Sequence, residues 1–133
     1  MLPSRPFLFF AALGFTAACS LAQAEKEALL HADYGQVKEL LAAKCFSCHG
    51  ALKQKAKLRL DTRDLMLKGE VIIPGKAARS LLIEKILEEG EDRMPPPEDG
   101  AALKPDEIAL LRRWIDDGAK APANEPVPQG PAE

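Results

Sequence analysis

Cys45-Phe46-Ser47-Cys48-His49-Gly50 places two thiols about one helical turn apart, with an imidazole directly behind the second. Thiols at this spacing each add to one vinyl group of a haem, and the adjacent His49 is then carried under the ring, where it reaches the iron. Three other uses of the motif compete. A thioredoxin-like redox pair sits at a strand-to-helix junction within βαβ units, and the chain shows no such pattern. A zinc site needs four ligands, and the Cys and His stock beyond residue 24 is Cys45, Cys48, His49 and His31. That number suffices, but a neighbouring Cys48 and His49 are awkward as ligands of one tetrahedral ion. A plain disulfide leaves His49 without a role and closes too short a loop to restrict the unfolded chain. Covalent haem attachment through Cys45 and Cys48 is the favoured reading, with a zinc or dithiol module as the alternative.

Upstream, the longest apolar stretch runs from Phe7 to Ala18. It is shorter than the ~18 residues a spanning helix needs and fits the h-region of a signal peptide. Arg5 supplies the positive flank, and Ala22-Gln23-Ala24 the small residues of a cleavage site, so residues 1–24 read as a signal peptide. A competing reading makes Cys19, after Thr16-Ala17-Ala18, a lipidated N-terminus and hence a lipid anchor. Both readings export the chain to the periplasm or cell envelope, soluble in the first case, with no transmembrane span after cleavage.

With 133 residues, the chain has room for one domain, placed at 25–119. Its 18 Lys plus Arg against 20 Asp plus Glu exclude a general nucleic-acid binder, which needs a basic face. Beyond residue 24 the pattern is helical throughout. Asp33 is expected to cap a helix with Val37, Leu40 and Leu41 that runs into Cys45, and Asp61 to cap a short helix through Leu65 and Met66 closed by Gly69. Val71-Ile72-Ile73-Pro74-Gly75 reads as an extended piece, followed by a helix over about Ala77 to Glu89 that stops at Gly90. Met94-Pro95-Pro96-Pro97 cannot be helical, because proline removes amide donors and fixes φ. Pro105 opens the last helix, with Ile108, Leu111, Trp114 and Ile115 on one stripe, ending at Gly118. Four prolines mark residues 120–133 as a disordered tail.

An iron held by one histidine has a sixth position. Met94 is the preferred ligand, since a proline-bound loop holds a flexible thioether in place, whereas Met66 beside Leu65 reads as core. His31 reads as surface or N-terminal fray, with a bis-histidine iron as the alternative. With both axial positions filled, the site passes single electrons and does not bind substrate. An enzyme or a gas- or peroxide-binding module, with Met94 absent from the iron or labile, is the runner-up; no distal acid–base histidine is evident. Lys44 to Arg63 is basic and Glu84 to Glu107 acidic, which suits docking to redox partner proteins, although ordinary solvated faces explain it equally well.

Six motifs in order carry a resemblance: Cys45 to Gly50, Leu58-Arg59-Leu60-Asp61, Ile73-Pro74-Gly75, Ser80-Leu81-Leu82, Arg93-Met94-Pro95-Pro96 and Glu107 to Ile115. Over about Val37 to Ala119 the chain resembles the planctomycete-type cytochrome c domain, a relative of small monohaem c-type cytochromes. The resemblance implies an all-α cytochrome c fold, four to five short helices around one covalently bound haem c. It also implies His and Met axial ligands, here His49 and Met94, and a packed pair of first and last helices beside which Trp114 sits. Two departures stand out. Members are commonly one domain of much larger proteins, and Lys104 stands where a capping Ser or Thr is common, leaving Pro105 and Asp106 to cap the last helix.

Only Tyr34, Phe46 and Trp114 supply aromatic volume beyond residue 24. A haem would be the largest apolar body in such a core, with Leu40, Leu60, Leu81, Leu82 and Trp114 as its packing shell. Arg93, Pro74, Leu81 and Trp114 are the candidate haem contacts, Arg93 through a propionate.

Overall fold

The computed structural model describes residues 34–129. The expected signal peptide, Cys19, His31 and the Asp33 cap lie outside the described residues. Five helices and no strand are present among those described: α1 over residues 34–44, α2 Phe46–His49, α3 Arg63–Lys68, α4 Leu81–Leu87 and α5 Pro105–Asp116. None is long and apolar enough to cross a membrane. The expected all-α fold is therefore observed.

Tyr34, Val37 and Leu41 repeat at helical spacing on α1 and are buried. They meet Leu111, Trp114 and Ile115 of α5 in one core that also takes Met66 of α3 and Ile83 of α4. The Tyr34 and Trp114 rings, 5.6 Å apart between centroids, join the first helix to the last. Met66 is fully enclosed, the core role its sequence neighbours predict.

Three local expectations are corrected. Thr62, not Asp61, caps α3: its hydroxyl accepts from the Leu65 N–H at 3.3 Å. The Asp61 carboxylate is buried and held by the Arg59 fork, Nε to Oδ1 at 3.0 Å and Nη2 to Oδ2 at 2.5 Å, so it is committed elsewhere. The expected helix from Ala77 to Glu89 is two pieces, a 3-10 turn Ala77–Arg79 and α4. Ser80 separates them at φ −87, ψ 126, its buried hydroxyl donating to the Lys76 carbonyl and accepting from the Ile73 N–H. These bonds give the backbone an alternative to continuing the helix. The N-terminus of α5 is capped by more than Pro105 and Asp106, because the Glu107 carboxylate reaches back to the Lys104 N–H at 2.7 Å.

The described part of the expected tail, residues 120–129, makes contacts with the domain. The Trp114 indole donates to the Lys120 carbonyl at 2.8 Å, and Arg63 Nε donates to the Ala119 carbonyl at 3.1 Å. Glu125 then accepts from the Tyr34 hydroxyl, the Lys38 ammonium and the Arg63 N–H. Farther on, Arg59 donates to the Pro128 carbonyl at 2.7 Å. The prolines that make the segment look unstructured also reduce the entropy lost when it lies along the domain. Burial and the Glu125 carboxylate raise the Tyr34 pKa, which keeps its hydroxyl a donor. Glu125→Ala leaves these donors without their shared acceptor. It is expected to cost about 1–3 kcal/mol. Thermal melting should then move down by about 5–15 °C, with new tryptic cleavage after Lys120. An unchanged midpoint together with an uncut tail would show that Glu125 does not hold the segment.

Candidate haem site

The site starts where α1 ends. The Cys45 N–H still donates to the Leu41 carbonyl at 2.8 Å, and the Cys45 carbonyl accepts from both Cys48 N–H (3.1 Å) and His49 N–H (2.8 Å). The pentapeptide is therefore a helical turn that keeps both thiols and the imidazole on one short element. Gly50 follows out of steric need: a Cβ there would lie 2.5 Å from the Phe46 carbonyl oxygen. The chain then turns back, with Gly50 N–H donating to the Lys53 carbonyl and Leu60 N–H to the His49 carbonyl. Burial, then the neighbouring Cys48 thiol, pushes the Cys45 pKa up to about 11, so this thiol is protonated at neutral pH.

His49 Nδ1 lies 3.1 Å from the Lys55 carbonyl oxygen. A carbonyl only accepts, so the contact selects the Nδ1–H tautomer and leaves the Nε2 lone pair for a metal. Such outer partners orient ligating histidines and raise their basicity. Lys55 was not among the expected site residues, because a backbone carbonyl has no signature in side-chain identity.

Cys45, Cys48 and His49 line a cavity of about 290 Å³ together with Met94, Pro95 and Pro96. Leu58, Leu60, Val71, Leu81, Leu82 and Ile86 supply its apolar surface. Leu81 stays 41 % exposed, more than a core leucine has reason to be, which marks the solvent side of the cavity. Met94 is anchored to α4, its N–H donating to the Lys85 carbonyl at 2.9 Å. Charge enters the lining through Lys44, Lys55, Lys85 and Asp99; the Lys85 ammonium pairs with Glu88 at 2.8 Å and Lys55 with Asp99 at 3.1 Å. Those carboxylates, with hydrogen bonding first among the causes, raise the pKa of both lysines.

The structure thus brings together five of the expected residues, Cys45, Cys48, His49, Met94 and Leu81, along with Leu60 and Leu82 of the expected shell. It places four elsewhere. Trp114 packs at a tilt against Tyr34 in the α1–α5 core, beside the helix pair where the resemblance places it, and its indole N–H donates to the Lys120 carbonyl. Pro74 is exposed in a turn pinned to α5 by the Gly75 N–H to Ile115 carbonyl bond at 2.7 Å. Leu40 packs against the core and does not line the cavity. Arg93 is not part of the lining either. Its guanidinium donates to the Pro95 carbonyl at 2.8 Å and the Gly100 carbonyl at 3.0 Å, closing the loop that carries Met94.

The residues present fit a haem attached at Cys45 and Cys48: two thiols and an oriented imidazole share one apolar cavity with a thioether. Among the described residues no group of three or more His, Cys, Asp or Glu is placed to hold a metal ion, and His31, the fourth candidate for a zinc site, lies outside them. No curated protein and no solved structure matches the chain significantly. Residues 45–99 match the family Planctomycete cytochrome C, a span that holds the attachment motif and the Met94 loop but stops before α5. The match supports a planctomycete-type cytochrome c domain over these residues, and such a domain implies a haem cofactor.

Proposed function

We propose that this protein is an exported monohaem c-type cytochrome that carries single electrons between redox partner proteins, with His49 and Met94 as the axial ligands of one haem c. The observation that carries the reading is the composition of the cavity lining. His49 supplies its one imidazole and Met94 its one thioether, while the other described methionine, Met66, is sealed in the core. When bound, the haem supplies reversible one-electron chemistry at its iron.

The chain's own residues do the rest. Cys45 and Cys48 fix the cofactor covalently, and the Lys55 carbonyl holds the His49 ring. The Arg93 clamp and the Met94 N–H to Lys85 carbonyl bond hold the distal loop. The leucine-rich lining would shield a bound haem from water, and the exposed Leu81 marks the side on which a partner would approach it. A thioether ligand favours the reduced iron more than a second histidine does.

Two measurements on the exported protein test this. The haem should survive acid–acetone extraction, at one per chain. The reduced protein should bind carbon monoxide slowly or incompletely at neutral pH. Extractable haem would overturn the covalent assignment, and rapid, complete carbon monoxide binding would replace the carrier with a ligand-binding haem module.

A further inference from the structure

Lys55 does two things in two directions. Its carbonyl orients the His49 ring, while its ammonium reaches Asp99, 44 residues along the chain, at 3.1 Å. Asp99 belongs to the tip of the Met94 loop, where its N–H and that of Gly100 both donate to the Pro96 carbonyl at 3.0 Å. The Arg93 guanidinium ties the same tip to the loop's start through the Pro95 and Gly100 carbonyls. The loop is thus one braced unit, held to α4 at its base through Met94 N–H and Lys85. At its tip, Lys55–Asp99 is the hydrogen bond among the described residues that joins residues 90–100 to residues 45–60. Both partners line the cavity.

We propose that Lys55 and Asp99 are positioning residues, a clasp that couples the His49 segment to the Met94 loop and holds the thioether at the iron against competing ligands. The proposal rests on His49 and Met94 being the axial ligands. An incoming ligand reaches the iron only when the loop opens, so its apparent affinity scales with the open fraction. Side chains 47 % and 39 % exposed form an ion pair of small worth, which sets the size of the effect at a few-fold and makes it sensitive to salt.

The test is imidazole titration of the ferric, haem-loaded full chain, followed by loss of the thioether-to-iron charge-transfer absorption. Asp99→Asn and Lys55→Gln, which leave the Lys55 carbonyl in place, should each raise the apparent imidazole affinity about two- to fivefold. The double charge swap Lys55→Asp with Asp99→Lys should return it close to the wild-type value. About 1 M NaCl should raise the affinity of the wild type and leave the single variants unchanged. Affinities that stay level across the variants and across salt, with the absorption present in the wild type, overturn the clasp alone. A wild-type protein without that absorption overturns the ligand assignment and the clasp with it.

Discussion

Cys45→Ala with Cys48→Ala, prepared without haem, is expected to lose its cooperative thermal transition. The cavity in question is about 290 Å³ and is walled by Leu58, Leu60, Val71, Leu81, Leu82 and Ile86. At roughly 24 cal/mol per Å³, the cost of leaving that volume unfilled is at most ~7 kcal/mol, the upper value applying if no water enters. A domain of this size has a total stability of only about 5–15 kcal/mol, so the loss is comparable with everything that holds the fold. The three aromatic rings beyond residue 24, two of them already used in the Tyr34–Trp114 pair and one at Phe46, leave no large side chain to collapse into the space. Calorimetry and near-UV circular dichroism would show the effect, with helix content partly kept and fixed side-chain packing lost. A haem-free variant that melts as sharply as the wild type would show that the leucines close the core by themselves. Cys48→Ala alone, which keeps one attachment point, should fall between the two.

The second large effect is expected for Met94→Ala. Removing the thioether opens the sixth position, so the reduced protein should bind carbon monoxide rapidly and completely, and the reduction potential should fall by on the order of 0.1 V, within the ~0.8 V range that axial ligands span. The fold should survive: the Met94 anchor on α4 is its backbone N–H, bonded to the Lys85 carbonyl, and Arg93 still bridges Pro95 and Gly100. Met66→Ala is the informative contrast. That side chain is fully buried in the core, so its loss should cost about 2–5 kcal/mol of stability and leave the spectrum and potential where they were. If the two variants exchanged behaviours, the distal ligand would have been assigned to the wrong methionine.

The proposed clasp gives these predictions a finer scale. Met94→Ala removes the ligand outright, whereas Asp99→Asn only alters how often the loop lets go. The first should change carbon monoxide binding in kind, and the second should change imidazole affinity by a small factor. Salt separates them further, because an exposed ion pair is screened and a missing thioether is not.

What was legible in the sequence follows from range. Two thiols and an imidazole within five residues determine their own geometry, since one helical turn fixes their relation whatever the rest of the chain does. The proline run likewise excludes helix around Met94 by local chemistry. Apolar spacing located α1 and α5, because their periodicity is a property of each segment alone. The differences fall where a side chain had a choice of partner. Asp61 can cap a helix in isolation, but in the fold it meets Arg59, and Thr62 takes the cap. Arg93 suits a propionate by charge, yet two loop carbonyls lie within reach of its fork. Trp114 suits a cofactor pocket by size, and Tyr34 together with the Lys120 carbonyl holds it in the helix pair.

The final segment makes the same point most plainly. Composition alone describes residues 120–129 as unstructured. Glu125 orders them by meeting Tyr34, Lys38 and Arg63, the first of which lies 91 residues away in the chain. The sequence by itself determined the spacing of the two thiols and the imidazole and the helical class, because both are written in contacts a few residues apart. The cavity around that chemistry, the packed tail and the link from Lys55 to Asp99 were decided only by the tertiary structure, because each depends on groups that become neighbours after the chain has folded.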